Sequence, residues 1–122
     1  MNRKKRNTEV VHIWGVKFNL LDLKGFIRRI SLLIDNNLVP IHITGIGPET
    51  VVHAYRNRIV SESINQSSLT NIDNIFIVII LRLLGYKVPS RVATPDLFEQ
   101  LLMLAAKRNL KVFILGAKKD IL

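Results

Sequence analysis

Cysteine is absent from the 122-residue chain, which excludes disulfides, thiolate metal sites and cysteine nucleophiles. Acidic residues are scarce, with 9 Asp and Glu against 18 Lys and Arg and a formal net charge of +9. That imbalance favours a polyanionic partner, whether nucleic acid, anionic lipid headgroups or a phosphorylated substrate; plain solubility is the simpler reading. Long apolar runs are also missing. The longest, Ile75 to Leu81, ends at Arg82, whereas a membrane-spanning helix needs roughly 20 residues. The basic start is followed by Thr8, Glu9 and His12 rather than by the apolar core of a signal peptide. The expected location is therefore cytoplasmic, with peripheral contact at the inner face of the cell membrane as an extension. Aromatics make up only 7% of the chain. None is interleaved with the basic run Arg3-Lys4-Lys5-Arg6, so no stacking surface for nucleic acid is expected.

What is present is a normal globular balance, 48% hydrophobic and 22% charged, in a length typical of one domain. Residues 1–9 read as a basic N-terminal tail and 10–122 as a single α/β domain. Val10, Val11 and Ile13, then Val16 and Phe18, predict a strand pair with Gly15 at the turn. Leu23, Phe26, Ile27, Ile30, Leu33 and Ile34 recur at helical spacing behind Asp22, a candidate N-cap, and predict a helix over 22–36. Val39 to Thr44 reads as a buried strand. Pro48 and Glu49 open a helix, and 61–67 is polar with room for a further helical turn. Leu69 to Ile72 fits a strand, while Ile75 to Leu84 is so apolar that periodicity alone leaves strand and helix both open; its length leans to helix. Gly85 is a helix stop. Thr94 is the expected N-cap of the next helix, with Pro95 at its first position. Lys111 to Leu115 reads as a last strand. Strands alternating with helices predict an α/β, Rossmann-like fold: a mostly parallel sheet with flanking helices, incomplete at the C-terminus because nothing long enough to cover that last strand follows it.

Several residues then stand where chemistry is done. Gly45-Ile46-Gly47 lies between a strand and a helix, where phosphates meet helix N-termini; an ordinary turn is the alternative, because Thr50 breaks the full glycine pattern. Asp73-Asn74 falls at the C-terminal end of a strand, the ligand edge of open α/β sheets. A carboxylate there serves as a general base or as the cap of the following helix. Arg82 interrupts an apolar segment and so needs either a structural partner or an anionic site. Arg91 lies near a helix start and fits a phosphate. His12, His42 and His53 lack metal-ligand spacing, so no metal and no cofactor are expected.

Taken in order, these segments resemble the WecG/TagA/CpsF family of bacterial glycosyltransferases. The resemblance rests on Gly15-Val16 and the helix after it, on Pro48-Glu49, on Asp73-Asn74-Ile75 running into Arg82-Leu83-Leu84-Gly85, on Pro89, Arg91-Val92 and Asp96-Leu97, and on Val112 to Gly116. It covers about residues 10–117. It implies metal-independent, inverting transfer of an N-acetylmannosamine-type sugar, or its uronic acid, from a UDP-sugar to an undecaprenyl-diphosphate-linked acceptor, in cell-surface polysaccharide or teichoic acid synthesis. It implies Asp73 as the base. Arg82, Arg91, Gly45, Gly47 and Asn74 become candidate substrate-binding residues, and Gly116 a nucleotide-binding one. It also implies a helix over Asn74 to Leu84.

The chain departs from the family pattern at identifiable places. Gly45 and Gly47 stand where the family has Thr and Asn. Asn74 and Phe76 replace glycines, and Thr94 replaces a glycine before its helix. The chain is also read as stopping before the family's C-terminal part. Two alternatives follow: an inactive truncated relative, or a small basic domain that binds anions or lipid without catalysis.

Overall fold

The computed structural model describes residues 9–38 and 40–116. The basic run at 3–6 lies outside the described residues. β1 (Val10–Ile13) and β2 (Val16–Asn19) form an antiparallel hairpin. Trp14 and Gly15 make its two-residue turn with φ of +56° and +73°. Both being left-handed matches the twist of the flanking strands. The Gly15 carbonyl accepts from Ser61 Oγ at 2.8 Å and Asn65 Nδ2 at 3.1 Å, which ties the turn to a later helix.

α1 (Leu23–Asp35) begins where expected: Asp22 Oδ1 accepts from the Gly25 N–H at 2.7 Å, and Phe26 and Ile30 are buried along its apolar stripe. The chain then builds a βαβ unit. β3 (Ile43–Ile46) and β4 (Leu69–Ile72) pair in parallel, with Gly45 opposite Asn71. The crossover between them holds two helices, α2 (Pro48–Arg56) and α3 (Arg58–Gln66). Where one further turn was expected, α3 is a full helix, because Asn57 Oδ1 accepts from Ile59 N and Val60 N and restarts the chain as a helix. α4 (Ile75–Leu83) resolves the apolar segment as a helix, and Gly85 with φ +95° ends it. α5 (Thr94–Lys107) follows.

Strand alternation divides the core. Ile46 and Ile72 point to one side and pack with Val16, Phe18, Ile77, Val78 and Leu81. Leu69, together with the partly buried Ile43, points to the other and packs with Phe26, Ile30, Val92 and Leu97. All of β4 is buried, as a strand covered on both faces must be. Thr70 joins β4 to the hairpin. Its N–H donates to Asn19 Oδ1 at 2.8 Å, its hydroxyl donates to the Lys17 carbonyl at 2.8 Å, and Asn19 N donates to the same hydroxyl at 3.1 Å.

The fold is thus α/β and Rossmann-like, with flanking helices around a parallel pair and an antiparallel hairpin. Two expectations are corrected in detail. The strand expected from residue 39 starts at Ile43, the first residue paired, with Leu69: Pro40 has no N–H for a ladder, and the His42 N–H donates to the Ser68 hydroxyl at 3.1 Å. Lys111 to Leu115 is not a strand; it is irregular and exposed, Phe113 by 86% and Leu115 by 88%. Its β-branched composition supplies propensity, but a strand exists only through a hydrogen-bonded neighbour, and among the described residues it has none.

Candidate functional site

Asp73 follows directly on β4, and its N–H donates to the Ile46 carbonyl at 3.0 Å, so the two parallel strands stay coupled up to the carboxylate. The cap of α4 is supplied by Asn74, whose Oδ1 accepts from Phe76 N at 2.9 Å. The Asp73 side chain is therefore not consumed by capping. It meets Arg91 instead, with Nη2 to Oδ1 at 3.3 Å; the two side chains are 29% and 49% exposed. An ion pair this open contributes little to stability, and both groups remain within reach of a solute.

Arg91 is delivered by backbone pinning. Val92 N donates to the Ile72 carbonyl at 2.9 Å, and Asn71 Nδ2 donates to the Val92 carbonyl at 2.9 Å. Residues 91–94 are thereby held beside the C-terminal end of β4. Asn71 is 1% exposed, and its second amide hydrogen goes to Thr94 Oγ1 at 3.1 Å. This bond explains a further correction: Thr94 is not the N-cap of α5. Ala93 holds that position without a side-chain cap, Thr94 is the first helical residue, and Pro95 the second.

Gly45 lies across from Asn71. A Cβ there would stand 2.7 Å from Thr94 Oγ1, so its lack of a side chain makes room for that hydroxyl. Gly47 is the N-cap of α2, with open space around it. Its N–H donates to Thr50 Oγ1 at 3.3 Å, and Glu49 places a negative charge in the first turn, where it competes with any incoming anion.

Arg82 stands apart from the Asp73–Arg91 pair. Its Nε donates to the Val88 carbonyl at 3.0 Å and its Nη2 to the Pro89 carbonyl at 3.1 Å. It resolves the need for a partner structurally, by holding the loop that leads to Arg91. Gly116, with φ +124°, ends the exposed stretch after α5 and has nothing within 4 Å of a built Cβ. Asn71 was not singled out from the sequence. Its signal was a lone carboxamide inside the strand Leu-Thr-Asn-Ile, which a buried position tolerates only with hydrogen-bond partners.

A parallel βαβ unit that presents a carboxylate and a guanidinium at the carboxyl end of its strands has the layout of a ligand-binding α/β domain. Residues 11–122 match the Glycosyl transferase WecG/TagA/CpsF family, and the chain belongs to that family. It is similar, at 28% identity over 115 residues, to the N-acetylglucosaminyldiphosphoundecaprenol N-acetyl-beta-D-mannosaminyltransferase of Bacillus subtilis (strain 168). That match covers 94% of this chain and 44% of the relative, so the chain spans less than half the length of the curated protein it matches.

Proposed function

We propose that this chain contributes to hexosaminyl transfer from a UDP-sugar to a lipid-diphosphate-linked acceptor, with Asp73 as the general base. The observation that carries the reading is the Asp73 carboxylate at the carboxyl end of β4, kept out of capping because Asn74 takes that role and paired instead with the partly exposed Arg91. Family membership and the name of the Bacillus relative support the reaction class. In the reaction, an acceptor hydroxyl attacks the anomeric carbon, the bond from that carbon to the diphosphate oxygen breaks, and Asp73 takes the hydroxyl proton. Arg91 gives one N–H to Asp73 and keeps others for diphosphate oxygens. Arg82 acts as a positioning residue through the loop it holds. Gly45, Gly47 and Asn74 shape the approach to the same strand ends, and Gly116 belongs to the nucleotide side.

The test is a transfer assay with UDP-N-acetylmannosamine and an acceptor bearing lipid-diphosphate-linked N-acetylglucosamine. Asp73→Asn is expected to lower turnover roughly 10²- to 10⁴-fold. Undiminished turnover in that variant would remove Asp73 as base. A wild-type chain that neither turns over nor melts at higher temperature with excess UDP would favour the alternative of a family member without catalysis.

A further inference from the structure

α4 buries one side and leaves the other bare. Ile77, Val78 and Leu81 face the core. Opposite them, Ile75, Ile79 and Leu83 form one row and Phe76, Ile80 and Leu84 a second, each side chain exposed by 42% to 82%. Such i, i+4 rows are the ridges through which packed helices interlock. Beside them runs an apolar groove of about 560 Å³, walled by Trp14, Val51, Val52, Tyr55 and Ile77 and reaching Ile80. We infer that this face pairs two copies of the chain about a two-fold axis, with Phe76 of each copy seated in the groove of the other.

Three features carry the inference. The first is area. With Trp14, Val52 and Tyr55 beside the rows, the face offers on the order of 1,000 Å² of apolar surface, against roughly 800 Å² per partner in a standard interface and about 300–600 Å² for the largest patch of a typical monomer.

The second is that recess and projection share one surface. Ile80 belongs both to the groove and to the exposed rows, and Phe76 stands one helical turn before it. Trp14 is a fixed wall, held edge-on to Phe18 with ring centroids 6.2 Å apart. A surface that carries both a socket and the side chain to fill it is self-complementary, as a two-fold interface requires. An aromatic side chain anchored in a desolvated pocket is also where interface energy concentrates. Phe76 is 66% exposed and stands where the family pattern has glycine, so the projection is a property of this chain rather than of its family.

The third is charge. Two copies at +9 repel one another, yet α4 contributes only Arg82, whose guanidinium donates to the Val88 and Pro89 carbonyls. Arg56, at the groove, presents a cation to the ring of an entering phenylalanine. A helix that lies in a bilayer surface carries Lys and Arg along its polar flank, and α4 has no such flank.

Sedimentation equilibrium of the full chain over a concentration series tests the pairing, which is independent of the sugar-transfer reading. The wild type is expected to behave as a monomer and dimer in equilibrium, with a dissociation constant on the order of micromolar. Phe76→Glu and Leu83→Glu, both at exposed positions outside the core, are expected to raise that constant roughly thirtyfold or more. Val52→Trp, which fills the groove while leaving Phe76 in place, is expected to do the same. Ile59→Glu, at an exposed side chain of α3 away from the groove, is expected to leave the constant unchanged. Far-UV circular dichroism checks that each variant keeps its helices. A wild type that stays monomeric at roughly 100 μM, an open series of larger species, or a dimer that Phe76→Glu and Val52→Trp both leave intact overturns the pairing. A monomer that sediments with phosphatidylserine-containing vesicles at high salt overturns it as well, and gives the face to a bilayer.

Discussion

At the scale of single residues, the chain spends its polar groups sparingly and places them where strands end. Thr70, Asn19 and Asn71 are almost fully buried, and each is engaged in hydrogen bonds, so none is left with the penalty of a wholly unpaired buried polar side chain. Lys17 is the group that pays for partial burial. Its Nζ donates to the Ser67 carbonyl, and desolvation lowers its pKa from the ordinary 10.5. The unfolded lysine therefore holds its proton to higher pH than the folded one. Stability due to this group is present above 10.5 and is lost as the pH falls through the lowered folded value. In urea unfolding, the difference between wild type and Lys17→Met is expected to move in favour of the wild type as the pH rises through that window. A difference that stays flat with pH would mean that burial of the ammonium group carries no proton linkage. The sequence gives no hint of this, because position 17 alternates within a strand like any exposed lysine; only the packing of β2 against the end of α3 desolvates it.

At the scale of elements, the helices were more legible than the sheet, and the reason is the range of the interactions involved. A helix is specified by residues within a few positions of one another, so Asp22 and the apolar stripe of α1 announce it locally. Strand pairing is settled by residues far along the chain: β3 starts late because the Ser68 hydroxyl takes the His42 N–H, and Lys111 to Leu115 has no hydrogen-bonded strand beside it among the described residues. The same logic bears on two caps. Thr94 has the side chain of a cap, but Asn71 claims its hydroxyl across 23 residues. The Asp73 carboxylate was open as a base or as the cap of α4; Asn74, accepting from Phe76 N, takes the cap instead. This division of labour is measurable. Asn74→Ala is expected to lose about 1 kcal/mol of stability with the cap of α4, whereas Asp73→Asn, which weakens only an open ion pair, is expected to stay within about 0.5 kcal/mol of wild type. Urea midpoints of the two variants decide it, and the reverse order would make Asp73 the structural residue and Asn74 the one free for a ligand.

At the scale of the whole molecule, the candidate site was half legible. Asp73 and Arg91 were visible as charged residues at the end of a strand and near the start of a helix. Their meeting depends on Asn71 and Val92 drawing residues 91–94 alongside β4. Charge is the property that survives without any such geometry. The chain carries +9, and among the described residues no helix is long and apolar enough to cross a membrane. We propose that this charge draws the molecule to an anionic bilayer surface. Each basic residue near an anionic leaflet contributes about 1 kcal/mol, so replacing Arg3, Lys4, Lys5 and Arg6 by glutamine is expected to weaken binding to phosphatidylserine-containing vesicles roughly a hundredfold or more at low ionic strength. The attraction extends only over a Debye length, about 10 Å at 0.1 M salt, so added salt should weaken wild-type binding and close much of the gap between the two proteins. Co-sedimentation with vesicles across a salt series reads both effects. If the glutamine variant binds as tightly as the wild type, the basic run is not the contact; if binding persists at high salt in both, exposed apolar side chains such as Phe76 and Leu83 would hold the surface instead of charge.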